Sequence, residues 1–239
     1  MSEAVSRSIT RAYATQFQAD EDPLSEGGIW VQGRTHGIDW VDVKSTGGIA
    51  IGEVSRAPWV NTDRERQPSD FTEEELRAVH HDHADYDDPT ALLGGRWGRN
   101  QHGRARVFSR NPTDLYWQEV EIRLRSAIEP HVCTGYEVFW RCLTNKDGYV
   151  QVARWNGAVT DFTILGVHVG PEYGVADGDL IEASIVGNVI TGWRNGVKII
   201  EVTDDVFTEG GPGIGFNFGA GDTNFDHGLT SFEVETWDD

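Results

Sequence analysis

Two glutamates stand two residues apart in the segment YWQEVEIRLRS (116–126), and this pair has the spacing that acid–base chemistry requires. Apolar and polar residues alternate through the segment, which predicts a β-strand. Glu119 and Glu121 then lie on one strand face, about 7 Å apart. Glycoside hydrolysis generally needs two carboxylates about 5–10 Å apart. Arg123 and Arg125 continue the same face, so a strand surface stabilised by ion pairs is the alternative interpretation.

Polysaccharide lyase chemistry is a further interpretation of this charged face. A lyase needs a base for the proton alpha to a uronate carboxylate and a cation that neutralises that carboxylate. Tyr149 or His168 could supply the base, and the cation could come from Arg123, Arg141 or Arg154. No spacing in the sequence brings these groups together. If the chain is an enzyme, its candidate catalytic residues are Glu119, Glu121, Arg123 and Tyr149.

Glycan binding needs only an aromatic platform beside hydrogen-bonding side chains, and the chain has nine tryptophans. If Gly187-Asn188 forms a two-residue hairpin turn, Glu182 lies opposite Trp193 on the polar face of the hairpin. Each tryptophan could instead pack beneath a loop. The candidate carbohydrate-binding residues are Trp193, Glu182 and Thr191, with Trp155, Arg154 and Arg141 as a second set.

Oxygen ligands recur at every second position in Asp222-x-Asn224-x-Asp226-x-Gly228, as they do in calcium loops. The glycine falls one place later than in an EF-hand and no Glu follows at the twelfth position, so a polar loop between two strands is the alternative. Calcium, bound by Asp222, Asn224 and Asp226, is the one cofactor that this pattern suggests. The cluster His80-His81-Asp82-His83 could bind a transition metal or form a solvated acidic loop.

The 239-residue chain has a formal net charge of −19. This charge repels a phosphate backbone and an anionic membrane surface, which argues against nucleic-acid and membrane partners. A carbohydrate or a protein is the expected ligand, and assembly into a homo-oligomer or a virion stays open. The N-terminal segment lacks the apolar stretch of a secretory signal peptide. We therefore expect an extracellular or virion-surface location that is reached without such a signal, with the cytoplasm as the alternative.

The two cysteines, Cys133 and Cys142, flank a segment that resembles a strand. Two cysteines in one extended strand are too far apart to form a disulfide, which favours two buried thiols. A turn at Thr134-Gly135 would bring them closer, so a disulfide remains the alternative.

Period-two alternation of apolar residues, with short turn sequences between the runs, predicts an all-β antiparallel sandwich. The expected strands are 37–43, 48–54, 91–97, 104–109, 116–126, 136–143, 149–156, 161–169, 179–186, 189–194, 197–203, 213–219 and 229–236. Residues from about 55 to 90 interrupt the pattern and predict an acidic surface insertion. It includes a short helix from about Phe71 to His83, with Thr72 and Glu75 as a capping box. We expect one domain over residues 1–239.

The turns and strands near the C-terminus resemble those of the concanavalin A-like, or laminin G-like, jelly-roll superfamily. The residues that carry this resemblance are Gly178-Asp179, Gly187-Asn188, Trp193 before Asn195-Gly196, Thr203-Asp204 and Gly213-Ile214-Gly215-Phe216. The segments DPLSEGGIW (22–30) and GIDW (37–40) are similar to segments of uncharacterised bacterial, phage and environmental proteins with this sandwich fold. The resemblance implies a jelly-roll fold. Since the superfamily includes lectins, adhesion modules, glycoside hydrolases and polysaccharide lyases, the resemblance leaves the activity open.

The motifs of known enzymes with this fold are incomplete in the chain. Sandwich-fold β-glucanases carry E-x-D-x-x-E on one strand, and Glu119-Val-Glu121 matches only its beginning. The favoured hypothesis is therefore a non-catalytic recognition or structural module that binds a glycan, in its sharper form on a virion or tail surface. The alternative is a polysaccharide lyase or glycoside hydrolase that acts on the charged strand face.

Overall fold

Two antiparallel β-sheets pack face to face in a sandwich, as predicted. The computed structural model describes residues 8–33, 40–52, 88–115, 117–130, 132–159, 161–217 and 221–238. The predicted helix and most of the predicted insertion, with the histidine cluster at 80–83, lie outside these residues. Among the described residues, no helix has the length and apolar character needed to cross a membrane.

The front sheet has seven strands in the order β10-β9-β8-β7-β14-β5-β2. Its strands are β2 (Trp30–Gln32), β5 (Thr90–Leu93), β7 (Glu119–Glu129), β8 (Val132–Arg141), β9 (Tyr149–Gly157), β10 (Phe162–Val169) and β14 (Gly211–Asn217). The back sheet has the order β13-β12-β11-β6-β15-β4-β3. In addition, β1 pairs with residues 232–236 of β15, whereas β4 pairs with β15 at Leu229. The strands of the back sheet are β1 (Arg11–Thr15), β3 (Val43–Thr46), β4 (Ile49–Gly52), β6 (Asn100–Ser109), β11 (Leu180–Val186), β12 (Val189–Arg194), β13 (Val197–Thr203) and β15 (His227–Trp237).

The core lies between the two sheets and follows the predicted alternation. Val120, Ile122 and Leu124 of β7 are fully buried there. On the facing sheet, the apolar residues of β11 and β12 are buried as well, among them Ile181, Ala183, Ile185 and Ile190. Burial of such aliphatic side chains, at about 1.5–3 kcal/mol each, supplies the main driving force for this fold.

The predicted hairpin over β11 and β12 is confirmed in its turn and its register. Val186 pairs with Val189 across Gly187-Asn188, and Glu182 lies opposite Trp193. Gly187 has a φ of 59° and the next turn has Asn195 and Gly196 at 51° and 77°. Positive φ at these positions is what the tight turns require, which explains why Gly187, Asn195 and Gly196 occupy them.

Both cysteines are free and buried, as the favoured interpretation predicts. Cys133 lies near the start of β8 and Cys142 just beyond its end. The extended strand between them keeps the two thiols apart. Burial raises the pKa of the Cys133 thiol to about 12, so it stays protonated and unreactive.

Candidate functional site

A cleft of about 360 Å³ opens on the outer face of the front sheet. Its floor is acidic and its walls are mainly aromatic and aliphatic. The residues that line it are Asp88, Trp117, Glu119, Glu121, Glu137, Phe139, Tyr149, Gln151, Ala153, Trp155, Val159, Phe162, Ile164 and Asn217. Strands β7 to β10 supply most of them, since residues two apart on each strand face the same way.

The polar face of β7 is buried, which corrects the prediction that only the opposite face is covered. Glu119, Glu121 and Arg123 are 2%, 1% and 0% exposed. Arg125 leaves this face, because a β-bulge between Leu124 and Ala127 changes the register. Its guanidinium instead donates to backbone carbonyl groups, among them that of Arg99 at 2.7 Å.

Three carboxylates surround the guanidinium of Arg123. Nη2 lies 2.7 Å from Asp88 Oδ1 and 2.9 Å from Glu121 Oε2, and Nη1 lies 2.9 Å from Glu137 Oε2. Oxygens of the three carboxylates lie within 4.8 Å of one another. Arg123 thus occupies the place at which a cation would bind, and one positive charge faces up to three negative ones.

Two tryptophans shield this cluster from solvent. The guanidinium carbon of Arg123 lies 5.4 Å from the ring centre of Trp40 and 5.6 Å from that of Trp155. The two indoles meet edge to face with ring centres 4.7 Å apart. The Trp155 Nε1–H also donates to Glu137 Oε2. Aromatic rings hold a cation favourably, and their bulk removes the water that would otherwise screen the carboxylates.

Burial sets the protonation of these carboxylates. Desolvation raises the pKa of Asp88 to about 7, although the Arg123 charge lowers it. Desolvation also raises the pKa of Glu121 and of Glu137. Since one guanidinium cannot compensate three buried anions, the cluster retains at least one proton at neutral pH.

Glu119 lies next to this cluster but differs from it in its hydrogen-bond partner, which is Tyr149 and not Arg123. The Tyr149 hydroxyl donates to Glu119 Oε1. Glu119 Oε2 is buried and makes no hydrogen bond of normal geometry to the described residues. Desolvation raises the pKa of Glu119 to about 7, while the Tyr149 hydrogen bond lowers it. The side chain can therefore give or take a proton near neutral pH.

Strand β14 makes room for the acidic cluster by omitting side chains. Gly215 lies opposite Glu121 in the sheet. A Cβ at Gly215 would collide with Glu121 Oε2 and lie 3.0 Å from Arg123 Nε. This explains the second glycine of the Gly213-Ile214-Gly215-Phe216 motif. Only a residue without a side chain leaves room at position 215 for Glu121 and Arg123.

Aromatic side chains form the mouth of the cleft. Trp117 and Phe162 are each 46% exposed and line the cavity. The rings of Phe139 and Tyr149 meet edge to face at 6.3 Å. Exposed aromatic faces beside carboxylates offer stacking and hydrogen bonding together, which is the combination that a sugar ring uses.

The structure brings some of the predicted site residues together and separates others. Tyr149 and Trp155 join the glutamates in the cleft. Arg141 lies beside Tyr149, 5.6 Å from its ring centre, and donates to the carbonyl oxygens of Asp147 and Asp114. Arg154 points to the other side of the sheet and pairs with Asp204 at 2.6 Å.

His168, the other proposed base, also lies away from the cleft. Its Nδ1 lies 2.7 Å from the Ile199 carbonyl oxygen, and its ring contacts Tyr173. The lyase arrangement, with base and neutralising cation side by side, is therefore not assembled around His168.

The first set of predicted glycan-binding residues, Trp193, Glu182 and Thr191, lies on the outer face of the back sheet. Trp193 is half-buried, with its ring centre 5.9 Å from that of His102. His102 Nε2 lies 3.2 Å from Glu182 Oε2. Thr191 donates to Glu201 at 3.3 Å. This group is on the opposite side of the sandwich from the cleft.

The predicted calcium ligands have protein partners in the structure. Asn224 is buried and its amide lies 3.5 Å from the Gly52 carbonyl oxygen. Asp226 pairs with Arg110 at 2.9 Å. The side chain of Asp222 lies outside the described residues. Calcium binding in this loop stays a prediction.

Sequence reasoning missed Asp88, Glu137, Trp40 and Trp117. Glu137 could have been placed near Arg123 from the sequence, because Pro130 marks the turn that brings β8 beside β7. Asp88 had no such signal, since it lies within the segment predicted as a surface insertion and reaches the site only through the tertiary fold.

The fold is that of the concanavalin A-like jelly-roll sandwiches. An endo-β-1,3-glucanase from Pyrococcus furiosus is 12% identical, with a TM-score of 0.53 over 94% of this chain and 93% of that one. An endo-acting O-glycanase of the human gut microbiota, of a group that initiates mucin breakdown, is 12% identical, with a TM-score of 0.52 over 97% and 100%. The CBM2 module of an evolved Dit protein from Lactobacillus casei BL23 phage J-1 is 11% identical, with a TM-score of 0.51 over 94% of each chain.

No protein-family model and no curated protein matches the sequence. At these identities the solved structures show the fold alone. Because they include both enzymes and a binding module, the activity has to be argued from the site.

Proposed function

We propose that this chain is a glycoside hydrolase that cleaves a neutral glycan in the front-sheet cleft. The observation that carries the proposal is the group of four buried carboxylates on the cleft floor, Asp88, Glu119, Glu121 and Glu137. Burying so many like charges lowers the stability of the fold, so such a cluster is more readily explained by a function than by a structural role. Clefts with strongly perturbed carboxylates are typical of acid–base catalysis.

Glycoside hydrolysis needs a protonated carboxyl group and an ionised one at the same pH. Glu119 has the properties of the general acid, since its pKa is about 7 and its buried Oε2 accepts no hydrogen bond of normal geometry from the described residues. The Arg123-bound group holds the ionised carboxylate, because the guanidinium charge stabilises the anion. Glu121 and Glu137 are the two candidates within that group for base or nucleophile.

The charges of the cleft favour a neutral substrate and disfavour lyase chemistry. A uronate carboxylate needs a cation that is free to neutralise it. Arg123 is fully buried among three carboxylates, and Arg141 donates to two backbone carbonyl oxygens. Among the described residues that line the cleft, four are acidic and none is basic, so an anionic sugar would be repelled there.

A screen of neutral polysaccharides, read by the release of reducing ends, tests this proposal. Glu119→Gln and Glu121→Gln should each reduce kcat by about 10²- to 10⁴-fold. Glu233→Gln is the matched control, since Glu233 is half-exposed on the back sheet and pairs with Arg104. Turnover that survives Glu119→Gln, or that is found only on uronate polymers with release of unsaturated ends, would contradict the proposal.

Non-catalytic glycan recognition on the back sheet is the second candidate function. The alignment of Trp193 with Glu182, and the contact of both with His102, favour it. A module of this kind could act outside the cell or on a virion or tail surface. Binding on a glycan array without turnover, weakened by Trp193→Ala, would support this function in place of hydrolysis.

A further inference from the structure

Strand β10 forms one edge of the front sheet and exposes a row of apolar side chains. It pairs with β9 on one side and with no strand of the described residues on the other. Phe162, Ile164, Val167 and Val169 are 46%, 41%, 47% and 58% exposed. Together they expose about 300 Å² of apolar surface, the size of the largest such patch on a typical monomer.

A β-bulge places these four residues in one row. Phe162 and Ile164 pair with Trp155 and Ala153 before the bulge. After it, Val167 and Val169 pair with Gln151 and Tyr149. Strict alternation would have placed Gly166 and His168 in the row. The bulge lets Gly166 approach the back sheet, where an added Cβ would lie 2.6 Å from Val202 Cγ1.

Three other edge strands have features that discourage pairing with another chain, and β10 lacks these features. Charged side chains on an edge strand discourage pairing with another chain. Strand β13 carries Lys198 and Glu201, β3 carries Lys44, and β2 has only three residues. Strand β10, FTILGVHV, has eight residues with no Asp, Glu, Lys, Arg or Pro.

The spacing of the row is self-complementary under a two-fold rotation. An axis through the Leu165–Gly166 peptide brings Phe162 opposite Val169 of a second copy. The same axis brings Ile164 opposite Val167. Isologous dimer interfaces require this kind of match, in which one patch contacts itself. Each apolar cross-strand pair stabilises an antiparallel ribbon by about 0.2–1 kcal/mol.

We propose that two copies of this chain associate through antiparallel pairing of their β10 strands. The apolar area is small beside the roughly 800 Å² per partner of a standard interface, so the dimer is weak and reversible. The net charge of −19 on each chain opposes association. Salt screens this repulsion, so the dimer tightens as ionic strength rises. The proposal does not depend on hydrolysis in the cleft, although Phe162 and Ile164 belong both to the row and to the cleft lining.

Sedimentation velocity of the full chain at low and high salt tests the proposal. Protein concentrations from about 1 to about 200 µM cover the dissociation constants expected of a weak dimer. The weight-average mass should rise from 26.6 kDa towards twice that value, and more strongly at high salt. Val167→Lys should weaken association at least about tenfold, because each copy places a charge within the apolar row. Val197→Lys is the matched control, since Val197 is 63% exposed on β13.

Val169→Lys provides a second variant at the more exposed end of the row, and circular dichroism checks that each variant folds. Three results would overturn the proposal. These are a monomer at every concentration, a dimer that both β10 variants leave intact, and a dimer that Val197→Lys weakens equally.

Discussion

Arg123 Nη2 lies 2.9 Å from Glu121 Oε2, and both side chains are about 1% exposed on the outer face of the front sheet. Two residues apart on β7, they form a buried ion pair where the sequence alone indicates a solvated strand. The pair is completed by Glu137, which lies opposite Arg123 on the neighbouring strand β8, and by Asp88, which comes from a distant part of the chain.

Arg123→Gln should destabilise the fold by about 3–5 kcal/mol at pH 8, because it leaves three buried carboxylates without a cation. The loss should be smaller at pH 5, where the carboxylates of raised pKa are protonated. Urea unfolding at the two pH values measures both effects. An equal loss at both would show that Arg123 acts through packing and not through charge.

Glu119 should make the fold less stable as pH rises. The pKa of Glu119 is about 7 in the folded protein and 4.5 in a model peptide. Its stabilising contribution is thus fully present below about pH 4.5 and is lost as pH passes through about 7, by up to about 3 kcal/mol. Glu119→Gln removes this pH dependence. The free energy of unfolding of the variant should therefore increase relative to that of the wild type between pH 5 and pH 8. A constant difference would contradict the assigned pKa.

Tyr149→Phe should move the alkaline limb of the kcat profile to higher pH. The hydroxyl of Tyr149 donates to the Glu119 carboxylate and thereby lowers its pKa. Without this bond the pKa of Glu119 rises, so the general acid remains protonated at higher pH. Movement of the acid limb instead would assign Glu119 to the base, and an unchanged profile would exclude it from both roles.

Gly215→Ala should reduce turnover by about 10²-fold while the chain still folds. The added methyl group collides with Glu121 Oε2 and crowds Arg123 Nε. Both side chains must then move, and catalytic carboxylates displaced by about 1 Å lose on the order of 10²-fold in rate. Activity and thermal unfolding measured together separate this effect from global unfolding. Full activity would show that the cluster geometry does not matter for the reaction.

Trp117→Ala and Trp193→Ala distinguish the two candidate glycan surfaces. Trp117 lines the mouth of the cleft, whereas Trp193 lies on the back sheet. Loss of one stacking ring weakens sugar binding by about 1 kcal/mol or more, roughly five- to tenfold. We expect Trp117→Ala to raise KM and Trp193→Ala to leave it unchanged. The reverse result would place the substrate on the back sheet.

The strands, the turns and the register of one hairpin could be predicted from the sequence. Alternation predicted most strands, and Gly187-Asn188 fixed the register that sets Glu182 opposite Trp193. The pair Glu119 and Glu121 was also found as the candidate acid–base group. Period-two alternation and turn residues report on contacts between neighbours in the chain, so they are sufficient for these features.

Only the tertiary structure decided that the polar face of β7 is buried. Glu137 reaches this face from the neighbouring hairpin strand β8, whereas Trp40 and Asp88 approach from distant parts of the chain. A row of charged residues has the same pattern whether water or protein lies above it, because alternation records which side chains share a face and not what covers that face. Burial beneath distant residues changes the dielectric around the carboxylates, and this raises their pKa values and turns a charged strand into a candidate catalytic cleft.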